Sequence, residues 1–307
     1  MGSSGYRGRF APSPTGPLHF GSLVAALGSC LEARALGGVW LVRMEDLDPP
    51  REMAGAADSI LRTLARLGFE WDEPVLYQST RAPFYAEAVG RLIDAGAAYR
   101  CSCTRSELRA AKTGAVYPGT CRKGLTRHGR RTAIRVVTGT EPVALKDRLR
   151  GDVGQSLADE VGDFIVRRRD GLFAYQLAVV VDDAAQGVTD VVRGADLLDC
   201  TPRQIHLQRL LGLPTPSYAH LPIVTTPTGE KLGKQTGAAP VDGRAPGAAL
   251  WDALAFLGHP PPPSLARAGP AEVWDWARAH WRLQAVPARQ TKGVGSLDPT
   301  PVDKSGG

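Results

Sequence analysis

Short apolar runs bounded by turn residues alternate along this chain with stretches in which apolar positions recur every three to four residues, the respective marks of buried strands and one-sided helices. Residues 7–11 read as extended, Pro12 and Pro14 break the run, and an Ala- and Leu-rich helix is expected from Leu18 to about Leu36, closed by Gly37-Gly38. Val39-Trp40-Leu41-Val42-Arg43 is the continuous apolar run of a buried parallel strand, which completes a βαβ unit. Ile60, Leu61, Leu64 and Leu67 fall at helical spacing, as do Phe84, Ala88 and Leu92, so the alternation continues.

Near Tyr99 the pattern gives way to a Cys-, Gly- and Arg-rich stretch that lasts to about Asp170 and reads as an insertion. Apolar runs at Leu177 to Val181 and Val188 to Arg193 then predict strands. A helix follows, with Thr201 as N-cap, Pro202 in the first position, Gln204 closing a capping box and Gly212 ending it. Two helical stretches lie around Leu250 to Leu257 and Val273 to Trp281, separated by Pro260 to Pro263, and the residues from Ala288 onward hold too few large apolar side chains to order themselves. The fold class expected is α/β with a parallel sheet: a first half-domain (1–98), an insertion (99–170), a second half-domain (171–240), a small helical region (241–287) and a disordered tail (288–307).

Composition narrows this picture modestly. At 307 residues and 43% hydrophobic content the chain can bury a sizeable core, and 37 Lys+Arg against 31 Asp+Glu favours a polyanionic partner without requiring one. Local runs are more telling: Arg122, Lys123, Arg127, Arg130, Arg131 and Arg135 fall in one stretch and Arg167-Arg168-Arg169 in another. Five cysteines, an odd number, without a secretory apolar region point to a reducing compartment, with the cytoplasm as the expected location. No run approaches the roughly eighteen apolar residues of a membrane span, so no membrane partner is expected.

The most informative segment runs from Arg9 through Phe10-Ala11-Pro12-Ser13-Pro14-Thr15-Gly16-Pro17-Leu18 to His19-Phe20-Gly21-Ser22. It is a strand that ends in a Pro/Gly turn and enters a helix through His-x-Gly. A helix N-terminus offers unpaired N–H groups to phosphate, Gly21 lets a flat base approach the backbone, and His19 can donate to phosphate or ribose oxygens.

This string resembles the signature of class I glutamyl-tRNA synthetases. Arg43-Met44-Glu45-Asp46-Leu47-Asp48 is similar to the family's second element, Gly171 to Asp183 to its third and Val191 to Asp196 to its fourth, while Lys231-Leu232-Gly233-Lys234-Gln235 stands where the KMSKS loop belongs. The resemblance covers roughly the first 235 residues and implies a Rossmann-like catalytic domain. It departs from the family pattern at Gly233, where Ser is usual, and at Ser22, where the second histidine of the HIGH motif stands. The charges suit the ligand it implies: Arg9 and Arg193 for carboxylates, Glu45 for an ammonium and Tyr175 for a directional hydrogen bond. It maps Arg9, Phe10, Ala11, Pro12, Ser13, Glu45, Tyr175 and Arg193 onto the glutamate pocket, and His19, Gly21, Lys231 and Lys234 onto ATP and Mg²⁺, with His19, Lys231 and Lys234 matching developing phosphate charge. An arginine aimed at the side-chain carboxylate would be under-paired with glutamine, so glutamate is the expected substrate.

In the insertion, Cys101-x-Cys103 and Tyr117-x-x-x-Cys121 make a structural zinc site the expectation. The fourth ligand is His128 on general chemistry and Tyr117 on the resemblance. The segment after Lys234 is shorter than the roughly 100 residues of a typical further domain. With the Cys/Tyr cluster, that shortness resembles the branch of the family that attaches glutamate to queuosine at the wobble position of tRNA(Asp), acting as a monomer. The alternative is charging of tRNA(Glu) at its 3′ end, with an anticodon domain supplied in trans.

Overall fold

The computed structural model describes residues 5–110, 116–225, 230, 239–288 and 291–293. The chain opens with alternating strands and helices: β1 (Arg7–Phe10), α1 (Phe20–Ala35), β2 (Val39–Met44), α2 (Ala56–Arg66), β3 (Leu76–Tyr77) and α3 (Ala82–Asp94). β1 pairs with β2, and β2 with β3, all parallel. The insertion contributes β4 (Ala98–Cys101), α4 (Arg105–Ala110), β5 (Ala133–Val136), β6 (Val143–Asp147), β7 (Gly151–Gln155), α5 (Leu157–Glu160) and β8 (Phe164–Arg167). Its strands form an antiparallel β4-β5-β8 sheet and a β6-β7 hairpin.

The second half returns with α6 (Tyr175–Ala185), β9 (Asp190–Gly194), α7 (Thr201–Leu211), β10 (Ser217–Leu221) and β11 (Ile223–Thr225), followed by α8 (Pro246–Phe256), α9 (Pro270–His280) and β12 (Thr291–Gly293). β9 and β10 pair in parallel, and β9 is tied to β1 by the Thr189 N–H donating to the Arg7 carbonyl at 3.0 Å.

Two local expectations are corrected. Residues 177–181 are helical, inside α6, because a helix buried on all sides loses its polar stripe and reads as a plain apolar run; Leu177 to Val180 are all buried. Thr201 does not cap α7, which begins at Thr201 itself with Cys200 at the N-cap and no side-chain cap bond, although Gly212 does end the helix in the left-handed conformation. Thr201 and Gln204 are instead drawn to Arg193, as described below. The tail expected to be disordered supplies β12, whose residues 291–293 pair in parallel with 223–225.

α8 and α9 share one apolar core with the first half-domain: Leu250, Leu254, Trp274 and Trp281 pack in the same cluster as Leu23, Leu27 and Trp40. The Trp281 indole N–H donates to Glu32 Oε2 at 2.8 Å and that of Trp274 to the Leu67 carbonyl at 2.8 Å, so the polar handles of both buried rings are satisfied.

Candidate active site

A cavity of about 780 Å³ lies where the carboxyl ends of β1, β2, β9 and β10 meet the start of α1, the crevice in which parallel α/β sheets bind ligands. Arg9, Phe10, Ala11, Pro12, Ser13, His19, Gly21, Glu45, Tyr175 and Arg193 all line it. The structure therefore brings together every predicted site residue on the first and third elements and on the strand ends. Lys231, Gly233 and Lys234 lie outside the described residues.

His19 is the N-cap of α1: its Nδ1 accepts from the Ser22 N–H at 3.3 Å, and its Nε2 lies 3.1 Å from the Ser22 hydroxyl. The positive end of a long helix thus faces the cavity beside Gly21. The loop leading into it turns at Gly16, whose φ of 143° lies in a region that side-chain-bearing residues rarely adopt.

The two arginines are held more tightly than their sequence context implies. Arg9 is only 3% exposed and donates from Nε and Nη2 to the two carboxylate oxygens of Asp183, each at 3.1 Å. The two-pronged grip expected for a substrate carboxylate is therefore taken by the protein, because a guanidinium this buried needs a counter-charge whether or not ligand is present. Arg193 donates from Nε to His220 Nε2 at 3.2 Å, and from Nη2 to Thr201 Oγ1 and Gln204 Oε1, both at 2.8 Å. Its Nη1 points at the Tyr175 hydroxyl, 3.4 Å away. Burial raises the phenol of Tyr175 to about 12, so it stays a neutral hydroxyl at neutral pH. Arg9 is left with Nη1 for a ligand, and Arg193 with the Nη1 hydrogen that Tyr175 does not take.

Glu45 is the counterpart anion. Its N–H donates to the Pro12 carbonyl at 2.9 Å, which pins it to the signature loop. Its carboxylate Oε1 is buried with no hydrogen-bond partner, 3.6 Å from Arg43 Nη2, which has none either. Burial raises its pKa above the usual carboxylate value, outweighing the pull of Arg43 and Arg9. Asp183 is the opposite case: burial acts to raise its pKa, but Arg9 and Arg43, the latter at 2.8 Å, hold it below the usual value. Sequence reasoning missed Asp183, Arg43 and His220 as site-builders. Two acids at the polar end of an otherwise apolar helix were the available signal for Asp183; His220 had none.

In the insertion, the thiols of Cys101, Cys103 and Cys121 lie within 4.8 Å of one another and could hold a metal ion. Cys103 and Cys121 sulfurs are 3.6 Å apart, and the Tyr117 hydroxyl lies 3.3 Å from Cys101 and 3.5 Å from Cys103. A tetrahedral ion with bonds of about 2.3 Å to sulfur and about 2.0 Å to oxygen requires separations of about 3.8 and about 3.5 Å, so Tyr117 fits the fourth corner. His128 is exposed and does not join the group. Burial acts to raise Cys121, but hydrogen bonds from Thr126, Ser102 and Tyr117 outweigh it and bring the thiol down to about 6.

The two arginine runs converge beside this sheet. Arg100, Arg130, Arg131, Arg167, Arg168 and Arg169 line a depression of about 350 Å³ whose lining includes no carboxylate. The register explains the convergence: Arg100 on β4 and Arg167 on β8 flank Ile134 of β5, which puts both on one face. Other members of the first run are structural, since Arg122 pairs with Asp163 at 2.5 Å and Arg135 lies over the Tyr117 ring at 3.8 Å. Among the described residues no helix is long and apolar enough to cross a membrane.

Comparison with known proteins accords with this geometry. The model of the tRNA synthetases class I (E and Q) catalytic domain matches residues 6–248. The glutamyl-Q tRNA(Asp) synthetase of Dechloromonas aromatica is 58% identical over 291 residues, covering 93% of this chain and 97% of its own. Proteins of the same description from Thiobacillus denitrificans and Pseudomonas aeruginosa are 58% and 53% identical, over 91% and 93% of this chain and 94% and 96% of theirs. In fold, the chain is similar to the crystal structure of glutamate-tRNA synthetase from Elizabethkingia anophelis, with a TM-score of 0.81 at 24% identity over 95% of this chain and 68% of that one. The glutamate tRNA ligase of Elizabethkingia meningosepticum, solved in complex with its amino acid, gives 0.79 at 24% identity over 92% and 66%. The chain belongs to the class I (E and Q) tRNA synthetases and, within them, to the glutamyl-Q tRNA(Asp) synthetases.

Proposed function

We propose that this ligase activates L-glutamate with ATP, without needing tRNA for that step, and transfers the glutamyl group to the cyclopentenediol of queuosine at the wobble position of tRNA(Asp). The observation that carries the first half is the charge pattern of the cavity. One buried carboxylate oxygen of Glu45 lacks a hydrogen-bond partner, Arg9 makes its protein contacts through Nε and Nη2 and keeps Nη1, and Arg193 Nη1 holds only the Tyr175 hydroxyl, at 3.4 Å. An amino acid with a second carboxylate supplies what each of these groups lacks.

In the activation step an oxygen of the α-carboxylate bonds to the α-phosphorus of ATP and the bond to the β-phosphate bridge breaks, releasing pyrophosphate. His19 at the start of α1, Lys231, Lys234 and the Mg²⁺ that accompanies ATP match the charge that develops. In the transfer step a hydroxyl of the cyclopentenediol attacks the activated carbonyl and AMP leaves. The relatives' descriptions support the acceptor, and the arginine-lined depression supports a polyanionic partner, since its six arginines outnumber the carboxylates of Glu107, Asp48 and Asp170 that pair with Arg130 and Arg168.

Removing the 3′-terminal adenosine of tRNA(Asp) enzymatically separates this acceptor from a 3′ end. Labelled glutamate is expected to enter the shortened queuosine-containing tRNA as well as the intact one, and not a tRNA(Asp) that carries guanine at the wobble position. Loss of incorporation on removal of the adenosine would instead identify a 3′-end charging enzyme.

The thiol cluster is read as a structural zinc site held by Cys101, Cys103, Tyr117 and Cys121, closing the insertion rather than taking part in chemistry. Metal analysis of protein made without a histidine tag is expected to give about one zinc per chain. Tyr117→Phe should release it at lower chelator concentration, whereas His128→Ala should not; the reverse order would reassign the fourth ligand.

A further inference from the structure

Behind Arg193, away from the cavity, lies a buried chain of polar groups that the activation chemistry does not use. His220 on β10 and Asp147 at the end of β6 are 0% and 2% exposed. His220 Nδ1 is 2.6 Å from Asp147 Oδ2, and His220 Nε2 receives Arg193 Nε at 3.2 Å. The other carboxylate oxygen, Asp147 Oδ1, accepts three backbone N–H groups: Leu149 and Arg150 at 2.9 Å and His220 at 3.3 Å. Burial acts to raise Asp147, but the hydrogen bonds from His220 and Leu149 hold it below the usual carboxylate value.

These contacts fix protons. An ionised carboxylate only accepts, so Nδ1 of His220 carries the hydrogen; the guanidinium only donates, so Nε2 of His220 is bare. The imidazole is then neutral, in agreement with the lowering of its pKa by burial, which the hydrogen bond it donates to Asp147 does not offset. Arg193 in turn has Nε bound to the imidazole and Nη2 bound to Thr201 and Gln204, which directs Nη1 towards Tyr175 and the cavity.

We propose that Asp147 and His220 form a positioning relay, in which a residue of the insertion sets the histidine tautomer and the histidine aims Arg193 at a carboxylate of glutamate. The inference rests on the glutamate-activating reading above. Neither relay residue lines the cavity, so both act through Arg193, directly and by way of Thr201, whose hydroxyl lies 3.2 Å from His220 Nε2 and accepts from Arg193.

Asp147→Asn tests the relay, because the three backbone N–H groups keep the amide oxygen at the Oδ1 position and turn its NH₂ towards Nδ1 of His220. The imidazole must then move its hydrogen to Nε2, where it opposes the Arg193 N–H. In glutamate-dependent pyrophosphate exchange, the KM for glutamate is expected to rise by about tenfold or more, with the KM for ATP within about twofold. His220→Gln, whose amide oxygen can take the place of Nε2, should return the glutamate KM to within about threefold of wild type. Long-range ¹H–¹⁵N spectra of histidine-labelled protein, with the His220 signals assigned from their loss in His220→Gln, should show a protonated Nδ1 and a bare Nε2 at neutral pH.

An unchanged glutamate KM in Asp147→Asn, a parallel rise in both KM values, or a protonated Nε2 in the wild-type spectrum would each overturn the relay. If Asp147→Asn does not fold, the spectrum decides, a protonated Nε2 overturning the relay. Absence of glutamate-dependent exchange in the wild type would overturn the substrate reading instead, while the tautomer is still read directly.

Discussion

Glu45→Gln is expected to lower kcat/KM for glutamate in pyrophosphate exchange by about 30-fold to several thousand-fold, the equivalent of the roughly 2–5 kcal/mol lost when one partner of a buried charge pair is removed. The loss should fall on the glutamate terms and spare the KM for ATP, since Glu45 stands where an ammonium would complete it. The same substitution should leave the melting temperature equal to or above that of the wild type. Burial already disfavours the charge on Glu45 more than Arg43 and Arg9 favour it, and Oε1 has no hydrogen bond in the free protein, so the neutral amide relieves a cost that outweighs the long 3.6 Å ion pair to Arg43. Because only the ionised carboxyl pairs with an ammonium, the wild-type KM for glutamate should rise as pH falls through the elevated Glu45 pKa. That part of the profile should vanish in the variant. Exchange within about threefold of wild type, or a clear drop in melting temperature, would defeat the assignment.

Asp183→Ala should act in the other direction, on the fold. Asp183 accepts from Arg9 through both oxygens and from Arg43 at 2.8 Å, and all three groups are buried. Removing it leaves two buried guanidinium groups facing each other, a loss of about 3–5 kcal/mol by the behaviour of broken buried pairs. Urea denaturation should show it as a midpoint lowered by about 1 M or more. The pH dependence carries the sign. A carboxyl whose folded pKa lies below its unfolded value stabilises the protein above the unfolded pKa, near 4 for Asp, and that contribution is lost as pH falls through the folded value. Asp183→Ala should therefore flatten the acid limb of the stability curve below about pH 4. An acid limb of wild-type steepness would mean that the buried pair contributes little.

The parts of the fold written in local period were legible in the sequence: the βαβ opening, α2, α3, α8 and α9 follow from apolar spacing and Gly/Pro punctuation. The misread segment was α6, where burial on every side erases the period that separates helix from strand. The cavity's lining was legible because most of it lies on a few contiguous strings. What holds that lining in place was not. Asp183 and Arg9 are 174 residues apart, and Asp147 and His220 are 73 apart, so no local pattern couples them. The apparent capping box at Thr201 and Gln204 failed for the same reason: Arg193 is a stronger claimant on both side chains than the helix end. The arginine runs are separate in the chain and meet only through the register of the insertion's sheet.

The pairing of β12 with β11 has a practical side. Ile223 and Val224 belong to the cavity wall, and residues 291–293 are laid directly alongside them. A dye, affinity tag or surface tether attached just beyond Gly293 would therefore begin at the rim of the site, within reach of a nucleic acid approaching it. The opposite terminus is the better anchor: Arg7 enters the sheet from the side of Gln186 and Glu73, behind the parallel strands and away from their carboxyl ends.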